Sequence, residues 1–263
     1  MKKHLWDEDL HGHSNMICYD EYGSRGQPAL LLLHGAAALD TFHRLYDLSS
    51  RYRLIVPHLP GAGQAAGQPY HLAETKRALW ALIDVLGADK LIVMGHSLGA
   101  QLAAALVSEH PERFSAAVLL SAWIDPSPRT VTLYLRLAPM TVACMKWRWL
   151  VRLQARYWRY PADRAERMAQ DAARLTPEVY RSFFANTLRS RDIPGYGAVD
   201  LPMLAVCGSR EMKEMKASLQ WLAASNPHCR AVLLPRAGHD FPMRQDEALR
   251  PLLLDFLSGI SRQ

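Results

Sequence analysis

No apolar run in the 263-residue chain reaches the roughly 18 residues needed to span a bilayer. The N-terminus, MKKHLWDEDLHGHSN, has acidic and polar residues where a secretion signal needs an apolar core. These two absences predict a cytoplasmic protein. Cysteine is scarce: Cys18, Cys144, Cys207 and Cys229 include no C-x-x-C pair, which argues against zinc and against a disulfide framework. Cys207 ends an apolar run and reads as a buried free thiol. No phosphate-cradling glycine loop or dinucleotide fingerprint occurs, so no cofactor is expected. His11 and His13 are a metal pair only on paper, and a solvated tail is the plainer reading, so no metal is expected either. Internal repeats and low-complexity tracts are also absent.

What is present is an ordinary globular composition, 49% hydrophobic and 21% charged, long enough to bury a full core. The net charge of +6 is unevenly placed. Ile124 to Tyr196 holds 13 Lys and Arg against 6 Asp and Glu, leaving 18 against 19 elsewhere. The positive excess therefore sits in one internal segment and marks it as a separate unit. Nothing beyond charge supports nucleic-acid binding by it.

Outside that segment, short apolar runs alternate with helical stretches. ALLLLHG (29–35), RLIVPHLPG (53–61), KLIVMGH (90–96), FSAAVLLSA (114–122), LPMLAVCG (201–208) and CRAVLLP (229–235) are continuous apolar strands, the pattern of a sheet covered on both faces. Helical spacing fills the intervals: in 71–87, Leu72, Lys76, Leu79, Leu82, Ile83 and Leu86 fall on one side. In RQDEALRPLLLDFLSG, Pro251 predicts a kink or a new helix start. The alternation predicts an α/β fold with a mostly parallel, doubly wound sheet. MICYDEY (16–22) is expected to pair antiparallel at its edge. The core spans 1–122 and 198–263, and 123–197 is an all-helical insertion laid over the C-terminal edge of the sheet. Within it Pro139, Pro161 and Pro177 separate helices, and Arg148, Arg152, Arg156 and Arg159 line one stripe beside Trp147, Leu150, Val151 and Trp158.

LIVMGHSLGA (91–100) places Ser97 between two glycines where a strand meets a helix. G-x-S-x-G in that setting strains the serine backbone and lifts its hydroxyl above the sheet edge, where ligands of parallel sheets bind. The helix N-terminus adds free N–H groups that stabilise a developing oxyanion. Ser97 is thus a candidate nucleophile, and a serine needs a base. His239, in PRAGHDF just past the last strand, could reach it across the top of the sheet. Alone, His239 would read as a surface loop histidine; beside Ser97 the catalytic reading is the better one.

These residues resemble the α/β-hydrolase fold, over about residues 16–260. The landmarks occur in order: His34-Gly35 after the first long strand, P-x-x-P-G-x-G from Pro57 to Gly63, GHSLG, the helical insertion, a strand ending in Gly208, and GH near the C-terminus. The resemblance implies a Ser–acid–His triad with Ser97 and His239, an oxyanion hole from the N–H groups of Ala36 and Leu98, and the insertion as a cap. A single HG differs from the HGGG of one lipase and esterase branch, and serine at 97 differs from the aspartate of haloalkane dehalogenases and epoxide hydrolases. The acid departs from the commonest pattern. After Gly208 the usual G-x-x-D is GSRE, so Glu211 takes the position, with Asp125 in SAWIDP the alternative. Both keep the chain order serine, acid, histidine. Glu214 reads as a solvated helix residue and Asp240 as pointing elsewhere. His58, where many relatives have Asp, has no catalytic role, and His96 packs as a spacer.

The expected function is serine hydrolysis of a small-molecule carboxylic ester or related acyl bond, with thioesters, lactones and carbon–carbon bonds open. A non-catalytic ligand-binding or regulatory protein on the same scaffold is the alternative. The basic, aromatic insertion, with 10 of the 23 aromatic residues, allows three readings. It can be a plain amphipathic lid with snorkelling arginines. It can be an acyl pocket rimmed by positive charge for an acidic or amphiphilic ester. It can also be a surface that contacts anionic membranes.

Overall fold

The computed structural model describes residues 2–3, 17–244 and 246–260. His11, His13 and Met16 lie outside the described residues. The strands are β1 (Lys2–Lys3), β2 (Tyr19–Tyr22), β3 (Ala29–Leu33), β4 (Arg53–Pro57), β5 (Leu91–His96), β6 (Phe114–Leu120), β7 (Met203–Gly208) and β8 (Cys229–Leu234). They form one sheet in the order β1-β2-β4-β3-β5-β6-β7-β8. Pairing is parallel from β4 to β8, while β2 runs antiparallel to β4 and β1 antiparallel to β2. The helices are α1 (Leu72–Leu86), α2 (Leu98–Glu109), α3 (Pro128–Met145), α4 (Arg148–Tyr157), α5 (Ala162–Arg174), α6 (Pro177–Ala185), α7 (Lys213–Ser225), α8 (Phe241–Arg244) and α9 (Asp246–Ile260). The segment TFHRLYDLSSR is helical too, as a 3-10 helix over His43–Ser50.

The strands need no polar face because both faces are covered. Leu31, Leu33, Val93 and Leu119 pack with Leu79, Leu102 and Leu219 of α1, α2 and α7. Their neighbours Leu30, Leu32, Met94 and Val118 pack on the other side with Leu249, Leu253 and Leu257 of α9. Alternate residues of one apolar run thus serve two cores. β8 departs from the expectation: as the last strand of the sheet it leaves Arg230, Ala231 and Leu233 exposed. α9 runs unbroken through Pro251. All four cysteines are free thiols, with Cys207 and Cys229 buried. No described helix is long and apolar enough to cross a membrane.

Between β6 and β7 lie α3 to α6. Pro139 does not separate two helices, as the sequence suggests, but sits inside α3. Proline removes the N–H that would bond the carbonyl four residues back, here that of Leu135. Arg181 of α6 fills the gap, its Nε donating to Leu135 O at 3.2 Å. The break falls instead at Lys146 and Trp147, between Pro139 and Pro161.

Candidate active site

Ser97 occupies the turn between β5 and α2 with φ 54° and ψ −113°, a left-handed backbone that a non-glycine residue holds only when its surroundings fix it. Its amide donates to Leu120 O at 2.8 Å, which binds the turn to the end of β6. The two flanking glycines are required by contact. A Cβ on Gly99 would lie 1.9 Å from Leu33 O, and one on Gly95 2.1 Å from Gly99 O. Helix and strand therefore approach closely under the serine, and only G-x-S-x-G permits it.

The loops after β7 and β8 bring two further side chains to this turn. Ser97 Oγ lies 3.1 Å from His239 Nε2, and His239 Nδ1 lies 2.8 Å from Glu211 Oε2. A carboxylate only accepts, so Nδ1 carries the ring proton and Nε2 accepts from the serine hydroxyl. The Glu211 carboxylate is fully buried, and its second oxygen accepts from Ser121 Oγ at 2.7 Å and Gly208 N at 2.5 Å. Burial opposes its ionisation, but the hydrogen bond and charge of His239 and the Gly208 and Ser121 donors outweigh burial and hold the carboxyl below its ordinary range. Gly208 matters here, since a Cβ would meet Ala237 O at 2.4 Å and force the two loops apart.

Two buried histidines fix the surrounding backbone. His34 Nδ1 donates to Gly35 O at 2.7 Å while Nε2 accepts from Leu59 N at 3.1 Å, so one neutral ring joins the loops after β3 and β4. His96 Nε2 donates to His239 O at 2.8 Å. Burial pushes His34 down to about 4 and His96 down to about 3, so both rings stay uncharged, as the accepting Nε2 of His34 requires. His96 is thus more than the spacer expected from the sequence. Ala36 and Leu98 border the cavity beside Ser97, and Leu98 opens α2, where an amide has no helical acceptor.

The other sequence candidates lie elsewhere. Asp125 is exposed, in a left-handed backbone of φ 53°, and accepts from Ser190 N at 3.1 Å. The structure brings Glu211, not Asp125, to His239. Glu214 is not a solvated helix residue. It is half-buried and accepts from Trp123 Nε1 at 3.0 Å and Thr130 Oγ1 at 2.7 Å, holding the start of α3. Asp240 borders the cavity, with its carboxylate 3.8 Å from Arg244. Among the described residues no group of three or more His, Cys, Asp or Glu could hold a metal.

His58 belongs to a polar seam that ties α5 to the core. Arg164, Arg167, Asp171 and Arg174 share one helix face. Arg164 pairs with Asp40, and Arg167 lies 2.9 Å from Asp20. Asp171 accepts from Gly63 N at 2.8 Å, and Arg174 donates to Gly63 O at 2.9 Å. Asp20 is buried, 3.4 Å from His58 Nε2. Burial alone would raise its pKa, but His58 and Arg167 outweigh it and hold the carboxyl at about 2. A depressed carboxyl stabilises the fold above its unfolded pKa and loses that contribution as pH falls toward its folded value. Asp20→Asn is therefore expected to cost about 2 kcal/mol at pH 7. It should also flatten the loss of stability between about pH 4 and pH 2, as read by urea denaturation across pH.

Above Ser97 and His239 opens a cavity of about 520 Å³. Trp123, Tyr134, Tyr180, Phe183 and Phe184 form much of its wall, and Gln154, Tyr157 and Trp158 of the insertion border it. A second cavity of about 280 Å³, lined by Met145, Leu150, Val151, Met168, Ala172 and Leu175, shares Ala36, Gln154 and Trp158 with the first. Among the described residues no lysine or arginine lines either cavity, which sets aside the reading of an acyl pocket rimmed by positive charge. Arg148, Arg152, Arg156 and Arg159 are exposed instead, and Arg159 lies beyond the end of α4.

Sequence reasoning missed Ser121, whose hydroxyl at the end of β6 donates to the acid; a small polar residue ending an apolar strand was the available signal. It also missed Gln154 and Trp158, which no spacing marks as cavity residues.

RutD of Caulobacter sp. (strain K31), named as a carbamate hydrolase, is 25% identical over 248 residues, covering 88% of this chain and 90% of that protein. A 2-hydroxy-6-oxononadienedioate/2-hydroxy-6-oxononatrienedioate hydrolase of Dechloromonas aromatica (strain RCB) is also 25% identical, over 96% of this chain and 92% of its own. Among solved structures, one from work on carboxylesterases of the thaumarchaeon Nitrososphaera gargenis superposes with a TM-score of 0.78 over 99% of both chains at 15% identity, a likeness of fold. The description alpha/beta hydrolase fold matches residues 28–195, more than half of the chain. By that match, on this sheet and with this turn at Ser97, the chain belongs to the α/β-hydrolase fold family, a family of enzymes.

Proposed function

We propose that the chain is a serine hydrolase that cleaves a carboxylic ester or a related acyl bond. The observation that carries this reading is the hydrogen-bonded line from Ser97 Oγ through His239 to Glu211, at 3.1 and 2.8 Å, on the floor of an apolar cavity. Ser97 Oγ attacks the carbonyl carbon as its proton passes to His239 Nε2. The carbonyl oxygen becomes an oxyanion held by the N–H groups of Ala36 and Leu98. As the carbon–oxygen bond to the leaving group breaks, His239 gives that oxygen the proton and an acyl-enzyme remains. Water, deprotonated by the same nitrogen, then attacks the acyl carbon, and the proton returns to Ser97 as the acid departs. Glu211 keeps the ring in the required tautomer and stabilises the imidazolium.

Segment 123–197 acts as the cap in this reading. Its residues close the cavity from above, and α5 secures it to the core through the polar seam. The apolar walls and the lack of cations favour a neutral substrate with an apolar acyl group. The relatives named as hydrolases support hydrolysis in general, and the different substrates in their names leave the bond to experiment. Turnover of p-nitrophenyl esters of increasing acyl length tests the proposal. kcat/KM is expected to rise about fourfold per added CH₂ until the cavity is filled. Hydrolysis no faster than in buffer for every ester would refute it.

A further inference from the structure

The outer face of α3 and α4 has a composition that neither catalysis nor folding requires. Seventeen residues from Arg129 to Arg159 are exposed, seven of them Lys or Arg and none acidic; apart from Thr132, and Tyr157, which borders the cavity and accepts from Arg244 through its hydroxyl, the remainder are apolar. Seven of the ten exposed large hydrophobic residues of the described chain lie here, from Leu137 at 37% to Trp149 at 62% exposure. On α3, Leu133, Leu137 and Met140 recur at helical spacing. On α4, Trp149 and Leu153 alternate with Arg148, Arg152 and Arg156. Trp147 and Trp149 stack at 6.2 Å between ring centres, both uncovered. Exposed apolar groups of this number, set together on consecutive helices, mark an interaction site.

We propose that this face lies on an anionic lipid surface, with the tryptophans and leucines entering the headgroup boundary and the cations meeting lipid phosphates. Charge chooses the occupant. From Pro126 to Ala162 the chain contains no Asp or Glu. Of the seven cations only Arg159 has an acidic partner within reach among the described residues, Glu247 at 3.9 Å. Two copies of this face would set cation against cation, so it does not suit a symmetric dimer. A bilayer with anionic lipids supplies the missing negative charge. It also accepts outward-standing Leu, Met and Trp without needing pockets to receive them, as an amphipathic interfacial helix requires. Leu133, Met140, Trp149 and Leu153 border neither cavity. The proposal concerns docking alone and stands independently of which bond Ser97 cleaves.

Co-sedimentation with phosphatidylcholine vesicles, with and without phosphatidylglycerol, tests it on the full chain. Binding is expected to the anionic vesicles, at least tenfold tighter than to phosphatidylcholine alone, and to weaken as salt rises. Each basic residue near the surface is worth about fivefold, so Arg148→Glu with Arg152→Glu should weaken binding at least tenfold. Trp149→Glu with Leu153→Glu should abolish it. Both pairs are exposed, and unchanged melting temperatures would establish that the variants fold. No binding to anionic vesicles at low salt would overturn the proposal, as would binding indifferent to both double variants. A wild-type dimer dissolved by the same substitutions would overturn it too, assigning the face to a second copy.

Discussion

Ser97→Ala should lower kcat for any ester the wild type cleaves by at least about 10⁴-fold, with the melting temperature unchanged. Without Oγ there is no acyl-enzyme, and the residual rate comes from binding and the oxyanion donors alone. The loss cannot be assigned to misfolding. Alanine suffers no more than serine from a backbone at φ 54°, and the amide bond to Leu120 O is untouched. Among the described residues the hydroxyl has no hydrogen-bond partner besides His239. Removing it therefore separates chemistry from scaffold. Steady-state kinetics with thermal unfolding on the same samples measures both.

The second large effect distinguishes the two acids. Glu211→Gln should lower kcat about 10³- to 10⁴-fold, the size seen when an amide replaces the acid of such a triad and offers the wrong tautomer. Asp125→Asn should stay within about twofold, because surface changes remote from the chemistry have small effects. The contrast follows from position. Glu211 is buried against His239 Nδ1 at 2.8 Å, whereas Asp125 only accepts from the Ser190 amide in an exposed loop. Glu211→Gln will also strain the Gly208 and Ser121 bonds, so Glu211→Asp is a useful companion. It keeps the charge, shortens the arm, and should lose less activity than Glu211→Gln. Comparable losses in the Asp125 and Glu211 variants would contradict the assignment.

Much of this was legible in the sequence for identifiable reasons. A parallel sheet covered on both faces writes its strands as unbroken apolar runs, and β3 to β7 read that way. Ser97 was legible because steric demand fixes its neighbours: at Gly95 and Gly99 a side chain would collide with backbone. His239 and Glu211 follow strand ends that a parallel sheet gathers at one edge, so their nearness to Ser97 was foreseeable. Their hydrogen-bond partners were not. Ser121 and the His96–His239 bond depend on loop geometry across 90 and 143 residues of chain, which periodicity does not carry. Pro139 misled because its usual consequence is cancelled by Arg181 from another helix. Of the arginine stripe, Arg148, Arg152 and Arg156 lie on α4 and face outward, while Arg159 falls past the helix end; which of the three readings of the insertion applied was decided only by packing.

The most direct test of the central claim is covalent. Wild-type protein treated with a fluorophosphonate, then analysed by intact mass and peptide mapping, should carry one adduct, on Ser97. It should be absent in Ser97→Ala and form far more slowly in Glu211→Gln. A folded wild type that takes no adduct, or takes it at another residue, would contradict an activated nucleophile at this turn.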